Sequence, residues 1–494
     1  MKKNISKKDI FLLIGIILFS IIMCHVFLRV RYSSDSYCLM YRGYFEYPLH
    51  YFLLDGRIVS TIVCYVSGLL KLQYNVYFII LDFIGIIILS VSIFILYKYL
   101  SKILKFDRIL YKILLLLATQ VTIINHISIE YLLYPESGVM CLGILLCVIA
   151  SIIYNESQNK KYLKVFSLVL LATLCYQGIV NLFPILTLSI FTIKNYNEKN
   201  SLKKLIKDYI ILITKLGIIF CLVMIISYGL CLIAEMIIGD SDFQIRSLNI
   251  ALIKYNLYEG IVNNFNLLPN YLNFIIIFIT SLIILQYSEN KNLIIQYILI
   301  CFTAYLFVFL PIFVWRYIMA RMAIAIGTLI GISLIFCLLL IKNNDKKNIK
   351  KIIIPVIIFI YFVFNTFNFM VNANEHYKAY KKDVELGNEI NKKIKEYENE
   401  TGIIVTKMDY GYDKNPNFYT NGIKNKGPLT ERKFSLFYCI VEATNFYCNK
   451  NFELKTGDYL SDYICEHYFY GIDYDSFSDT QILFEGDTMY FLIY

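Results

Sequence analysis

The sequence predicts an α-helical polytopic membrane protein of about eleven crossings, with interfacial helices in its first outer loop and a small C-terminal α/β domain outside the membrane. Three observations predict it. The 494 residues are 58% hydrophobic, with a mean hydropathy of +0.59. Apolar runs of roughly 18 to 25 residues, long enough to cross a bilayer, recur from Ile10 to Val371. Beyond Asn372 those runs stop and charged and aromatic residues take over. The expected division is a membrane part, residues 1–371, and an extracytoplasmic part, residues 372–494.

Charge sets the orientation. The formal net charge of +10 does not indicate nucleic acid, because the lysines lie mostly in short loops between apolar runs, where they fix topology and meet anionic headgroups. Lys2, Lys3, Lys7 and Lys8 place the N-terminus in the cytoplasm. Basic clusters at Lys98–Lys112, Lys160–Lys164, Lys194–Lys207 and Lys342–Lys351 mark later inner loops. Glu130–Glu136, Gly239–Leu267 and everything after Val371 then fall outside, and the expected setting is the cell membrane, with many passes. Ile10–Leu28 has basic flanks and no small-residue cleavage site, so it reads as an uncleaved first helix.

The remaining elements follow in order. The first helix leaves the cytoplasm and Tyr74–Tyr97 returns to it, so Tyr44–Leu72 cannot be a single crossing. It reads as one or two short helices along the outer interface, with tyrosines at headgroup depth. Leu163–Ile193 begins and ends beside inner loops and is interrupted by Gln177, Gly178 and Pro184, which predicts two short helices meeting near Gln177. Later spans are expected over Tyr209–Ile238, Tyr271–Leu285, Leu293–Phe313, Tyr317–Leu340 and Ile352–Val371. In the tail, Glu375–Glu400 has helical charge spacing, Ile403–Met408 reads as a strand, and Ile482–Ile493 as a hairpin turning at Glu485-Gly-Asp487.

Soluble-enzyme motifs are missing: there is no P-loop, no GxGxxG before a helix, no GxSxG and no HExxH. The 13 cysteines form no CxxC pair and the 5 histidines are scattered. The sequence therefore calls for no metal and no cofactor. At most one bridge is expected among Cys439, Cys448 and Cys465 of the tail.

The candidate residues cluster at the outer face. Asp35, in Tyr32-Ser-Ser-Asp-Ser-Tyr-Cys38, follows the first helix with Arg29 and Arg31 just before it. An Asp after two serines is most often a helix cap; at membrane depth beside arginines it also suits a general base. In Leu54-Asp-Gly-Arg57, Asp55 and Gly56 make a turn and Arg57 offers a planar fork for a phosphate. Arg42 and Glu46 read as an anchoring pair in the same loop. Glu136 opens a helix, where an acid meets free N–H groups, and is a second candidate acid. Arg316 and Arg321 stand at the outer end of a late span; Arg316 snorkels, whereas Arg321 lies deeper, where a charge is costly enough to indicate function. Gln177 reads as polar glue between helices.

An acid soon after the first helix, interfacial helices in a long first outer loop, many spans and an outer C-terminal domain resemble the GT-C membrane glycosyltransferases. The Asp35 region, Leu54-Asp-Gly-Arg57 and Leu174-Cys-Tyr-Gln177 are similar to the bacterial type II glucosyltransferases that decorate O-antigen and other surface polysaccharides. That resemblance implies inverting transfer of a hexose, glucose for preference, from a polyprenyl-phosphate sugar donor to a glycan acceptor outside the membrane. It assigns Asp35 as base, supported by Glu136, and Arg57, Arg316 and Arg321 as phosphate contacts. The family often pairs two acids after the first helix; here Ser34 and Ser36 flank Asp35, so the supporting acid has to come from another loop. Competing readings are a polysaccharide flippase or polymerase, which would carry charges deep in several spans, and a non-catalytic assembly protein, for which Asp35 would be dispensable.

Overall fold

A computed structural model describes residues 6–156, 161–196, 201–239, 271–288, 290–309, 320–342, 350–412, 429–430, 433–436, 439–454, 461–470 and 481–493. The described chain is overwhelmingly helical: α1 (Lys7–Met23), α2 (Ser34–Tyr47), α3 (Ile58–Leu69), α4 (Tyr74–Leu104), α5 (Ile109–Ile123), α6 (Ser137–Asn155), α7 (Lys161–Cys175), α8 (Leu182–Lys194), α9 (Leu202–Ile238), α10 (Tyr271–Tyr287), α11 (Lys291–Phe309), α12 (Ile324–Lys342) and α13 (Lys350–Thr401). Among the described residues six helices are long and apolar enough to cross a membrane, and four further apolar helices have 10 to 17 residues. Large apolar side chains lie exposed along α9 (Ile218, Leu222, Ile225, Ile233) and along α13 (Val356, Phe359, Ile360, Phe367). Helices of that length and hydropathy with such an apolar surface make the molecule an α-helical membrane protein.

The centre of the bundle is α12, whose apolar stretch is buried along its whole length. Small residues let its neighbour approach: a Cβ on Gly331 would collide with the Thr122 backbone of α5, the close backbone packing that small residues permit in membranes. Around this axis α4 packs on α6, α6 on α7 and α8, and α10 on α12.

No single helix covers Tyr44–Leu72. Here α2 kinks at Gly43, where φ is +82°, a conformation glycine adopts without penalty. A π-helical turn over Pro48–Leu53 and then α3 follow. The expected break near Gln177 is present, with Gln177–Ile179 forming a 3-10 turn between α7 and α8.

Two tail expectations change. The last span and the charged segment Glu375–Glu400 form one helix, α13, which runs through 371/372 without a break. Nothing in Val371-Asn-Ala-Asn-Glu375 stops a helix, since a polarity change is not a breaker. The strand expected over Ile403–Met408 lies later, as β1 (Lys407–Tyr412), because Gly402, at φ +71°, first turns the chain out of α13. β1 pairs in parallel with β2 (Glu453–Leu454) and β4 (Thr488–Ile493), and β4 pairs antiparallel with β3 (Ile482–Glu485), giving the order β2-β1-β4-β3. Gly486, at φ +60°, makes the expected hairpin turn. Helices α14 (Ile440–Cys448) and α15 (Ser461–Tyr468) complete the tail. It is not a detached module: Tyr37, Leu39, Phe52 and Tyr77 share one apolar core with Ile390, Met408, Ile440 and Phe491.

Candidate functional site

The segment that follows α1 starts with a reciprocal cap. Ser33 and Ser36 exchange hydrogen bonds, each side chain accepting from the other's backbone N–H, which satisfies two donors at the start of α2. Asp35 therefore is not needed as the cap. It sits in the first helical turn, where its charge opposes the helix dipole favourably, and Ser34 Oγ donates to its Oδ1 at 3.2 Å. Every residue from Arg31 to Leu39 is buried except Asp35, which is half-buried. It is thus the part-exposed residue of a buried, capped helix start. Burial lifts the Tyr47 hydroxyl well above its usual range, and the Asp35 charge adds to that.

Arg29 and Arg31 do not support Asp35 as the sequence suggested. Arg31 turns away to make a buried ion pair with Asp82 of α4 at 2.8 Å, and it also donates to the carbonyl of Leu132. Arg29 is exposed, over the Tyr377 ring. A buried guanidinium must find a carboxylate, and Asp82 offers one in the adjoining span.

Asp55-Gly-Arg57 is the turn expected of it. Gly56 has φ +74°, and a Cβ there would lie 2.7 Å from Gln177 Nε2 and 2.8 Å from Cys231 Sγ, so both conformation and space demand glycine. Gln177 holds the turn by donating to the Asp55 carbonyl. Arg57 is buried between two acids, donating through one terminal nitrogen to Glu136 at 2.7 Å and through the other to Asp55 at 3.0 Å. Glu136 is the N-cap residue of α6. Burial pushes its carboxyl up to about 7, with Arg57 opposing the shift and Asp35 adding to it. Two buried atoms here have no partner among the described residues: Arg57 Nε and Glu136 Oε2.

Arg321 completes the cluster from the 3-10 turn that leads into α12. Its Nε donates to Tyr176 Oη at 2.6 Å and a terminal nitrogen donates to Tyr134 Oη at 2.6 Å. Glu130 Oε2 accepts the Arg321 backbone N–H at 3.0 Å and lies 4.0 Å from its guanidinium. The Tyr176 ring lies beneath both arginines, 5.1 Å from the Arg57 guanidinium carbon and 5.6 Å from that of Arg321.

The structure thus joins Asp55, Arg57, Glu136, Gln177 and Arg321 in one buried cluster with Asp35 at its rim. It does not include Glu46, which is exposed and pairs with Arg42 at 3.5 Å one helical turn away. Arg316 lies outside the described residues. Sequence reading missed that Glu130, Tyr134 and Tyr176 would hold Arg321. The available signal was Glu130-Tyr-Leu-Leu-Tyr-Pro-Glu136 itself, whose acids and tyrosines stand close together in the loop between α5 and α6.

No protein-family model matches the chain, and no curated protein is detectably similar to it in sequence. Among the described residues no group of three or more His, Cys, Asp or Glu side chains is arranged to hold a metal ion.

Proposed function

We propose that the chain is a GT-C-like membrane glycosyltransferase that moves a hexose, glucose for preference, from a polyprenyl-phosphate sugar to a cell-surface glycan on the outer side of the cell membrane. One observation carries this reading. An accessible carboxylate, Asp35, stands at the rim of a buried pair of arginines that still has an unpartnered guanidinium N–H and an unpartnered carboxyl oxygen. Among the described residues that N–H lacks an acceptor and that carboxyl oxygen lacks a donor; the first suits a phosphate oxygen and the second a sugar hydroxyl.

In this mechanism Asp35 accepts the proton of the acceptor hydroxyl as that oxygen forms its bond to the anomeric carbon. The bond from that carbon to phosphate oxygen breaks on the opposite face, and polyprenyl phosphate leaves with the electron pair, which inverts the centre. The leaving group is already acidic, so it needs charge stabilisation more than protonation. Arg57 and Arg321, preorganised by Tyr176, supply it. Glu136, raised to about 7, can give up its hold on Arg57 by taking a proton when the phosphate arrives.

The test is sugar transfer by reconstituted protein, with polyprenyl-phosphate glucose and acceptor glycan. Asp35→Asn is expected to abolish transfer while the folded protein stays in the membrane at its normal level; full activity of that variant sinks the assignment. Glycan analysis of a deletion strain separates transfer from transport, since transfer predicts a missing side-branch sugar on a backbone of normal length.

A further inference from the structure

A second polar site lies at the opposite end of α6. Glu136 caps the start of that helix and Asn155 ends it; its 19 residues span about 28 Å at 1.5 Å each, close to the hydrocarbon thickness of a bilayer. Around Asn155 the ends of α6, α7 and α8 and the flank of α9 line an open cleft of about 410 Å³, within the size range of small-molecule sites. Lys161, Lys194 and Lys215 line it, with Asp208 as the one carboxylate among its lining residues. The cavity therefore carries excess positive charge at headgroup depth of the leaflet opposite the arginine cluster.

Helix capping accounts for part of this. Lys161 Nζ donates to the Tyr154 carbonyl at 3.3 Å and Lys194 Nζ to that of Asn155, as lysines at a helix C-terminus commonly do. Each ammonium has three donors, so capping leaves donors for a ligand. It does not account for Lys215, thirteen residues into α9. There its described contact is the Tyr162 ring, 5.9 Å away, a ring it shares with Lys161 at 5.4 Å. Lys161 and Lys215 thus stand around one ring, with Lys194 on the same lining, and Asp208 alone cannot balance three ammonium groups. The wall of α9 beside Lys215 exposes Ile210, Ile211, Ile218 and Leu222, so the cavity opens sideways onto lipid-facing surface.

We propose that this cavity binds the phosphate of an anionic lipid headgroup, with Lys161, Lys194 and Lys215 as its cationic contacts and the isoleucines of α9 against the acyl chains. Phosphate is the shared chemistry; the lateral apolar opening selects a lipid over a soluble phosphate. Basic pockets between membrane helices are the expected form of such a site. The proposal stands apart from the glycosyltransferase reading.

The test uses full-length protein in phosphatidylcholine nanodiscs with and without phosphatidylglycerol, and native mass spectrometry to count retained lipid. Wild type is expected to retain phosphatidylglycerol selectively. A variant combining Lys161→Gln, Lys194→Gln and Lys215→Gln is expected to bind it about a hundredfold more weakly, at about fivefold per basic residue near an anionic surface. Melting in phosphatidylcholine alone checks that this variant folds; if it does not, Lys215→Gln alone, expected to bind about fivefold more weakly, decides. Equal retention by wild type and the folded variant overturns the site. Stabilisation of wild type by glycerol 3-phosphate equal to that by phosphatidylglycerol overturns the lipid assignment in favour of a soluble phosphate.

Discussion

Two groups of buried ions stand near each other at one end of the bundle, and they are built differently. Arg31 meets one carboxylate, Asp82, plus a backbone carbonyl and the face of Phe27 at 4.5 Å. Its charge is balanced one to one between neighbouring segments. Arg57 and Arg321 are instead shared among Asp55, Glu130, Glu136 and two tyrosines, with Asp35 at the edge. Among the described residues both groups leave an arginine Nε without a partner, and the second also leaves a carboxylate oxygen, Glu136 Oε2, without one. A closed pair specifies packing; a cluster whose acids outnumber its arginines and whose polar atoms are unfinished is arranged for an exchange of partners.

That contrast predicts opposite outcomes for two acids. Asp82→Asn leaves Arg31 buried and uncompensated, so it should destabilise the protein by about 3–5 kcal/mol, seen as a lower melting temperature and less folded protein in the membrane. Asp35→Asn should instead leave melting unchanged while transfer falls by about 10²–10⁴-fold. If both variants lose stability alike, the distinction between packing pair and working cluster fails.

The next largest effect belongs to Tyr176→Phe. It removes the oxygen that accepts from Arg321 Nε but keeps the ring under both arginines, costing about 1.5–3 kcal/mol. Transfer assays should show weaker donor binding with acceptor binding unchanged; an equal loss of both would argue that Tyr176 only packs.

Glu136 gives a signature in pH. Its carboxyl moves from an ordinary 4.5 to about 7 in the folded protein, chiefly through burial. Between those values the native state holds a proton that the unfolded chain has released, so stability should fall as pH rises from about 4.5 to about 7. Melting temperature measured across that window should decline in wild type, and Glu136→Gln should flatten this component of the slope. The smallest effect is expected at Glu46→Ala, since Glu46 is exposed and holds the half-buried Arg42 only at 3.5 Å; neither melting nor transfer should change measurably.

The separate pieces were legible in the chain, while their meeting was not. Asp55-Gly-Arg57 announces a turn with a guanidinium, and Glu136 announces a helix start. Yet 79 positions separate Arg57 from Glu136, and 191 separate Glu130 from Arg321. Local pattern carries no term for pairs so far apart. The same limit explains Arg31: adjacency in sequence to Asp35 suggested an electrostatic helper, but its position before α2 lets it reach α4. At the tail, composition marked where polarity changes and the backbone ignored that mark, because helix α13 needs only an absence of breakers to continue.

Local chemistry was enough for the helical membrane class, the broken helix pair around Gln177, the short helices between α1 and α4 and the closing hairpin. Each depends on nearest-neighbour chemistry: apolar run length, glycine and proline, and turn residues. Packing between distant segments was needed to bring Asp82 to Arg31, Tyr176 under two arginines, and the tail into one core with the segment between α1 and α4. Those outcomes follow from burial, which forces each charge and each apolar face to find a partner wherever the chain's packing brings one within reach.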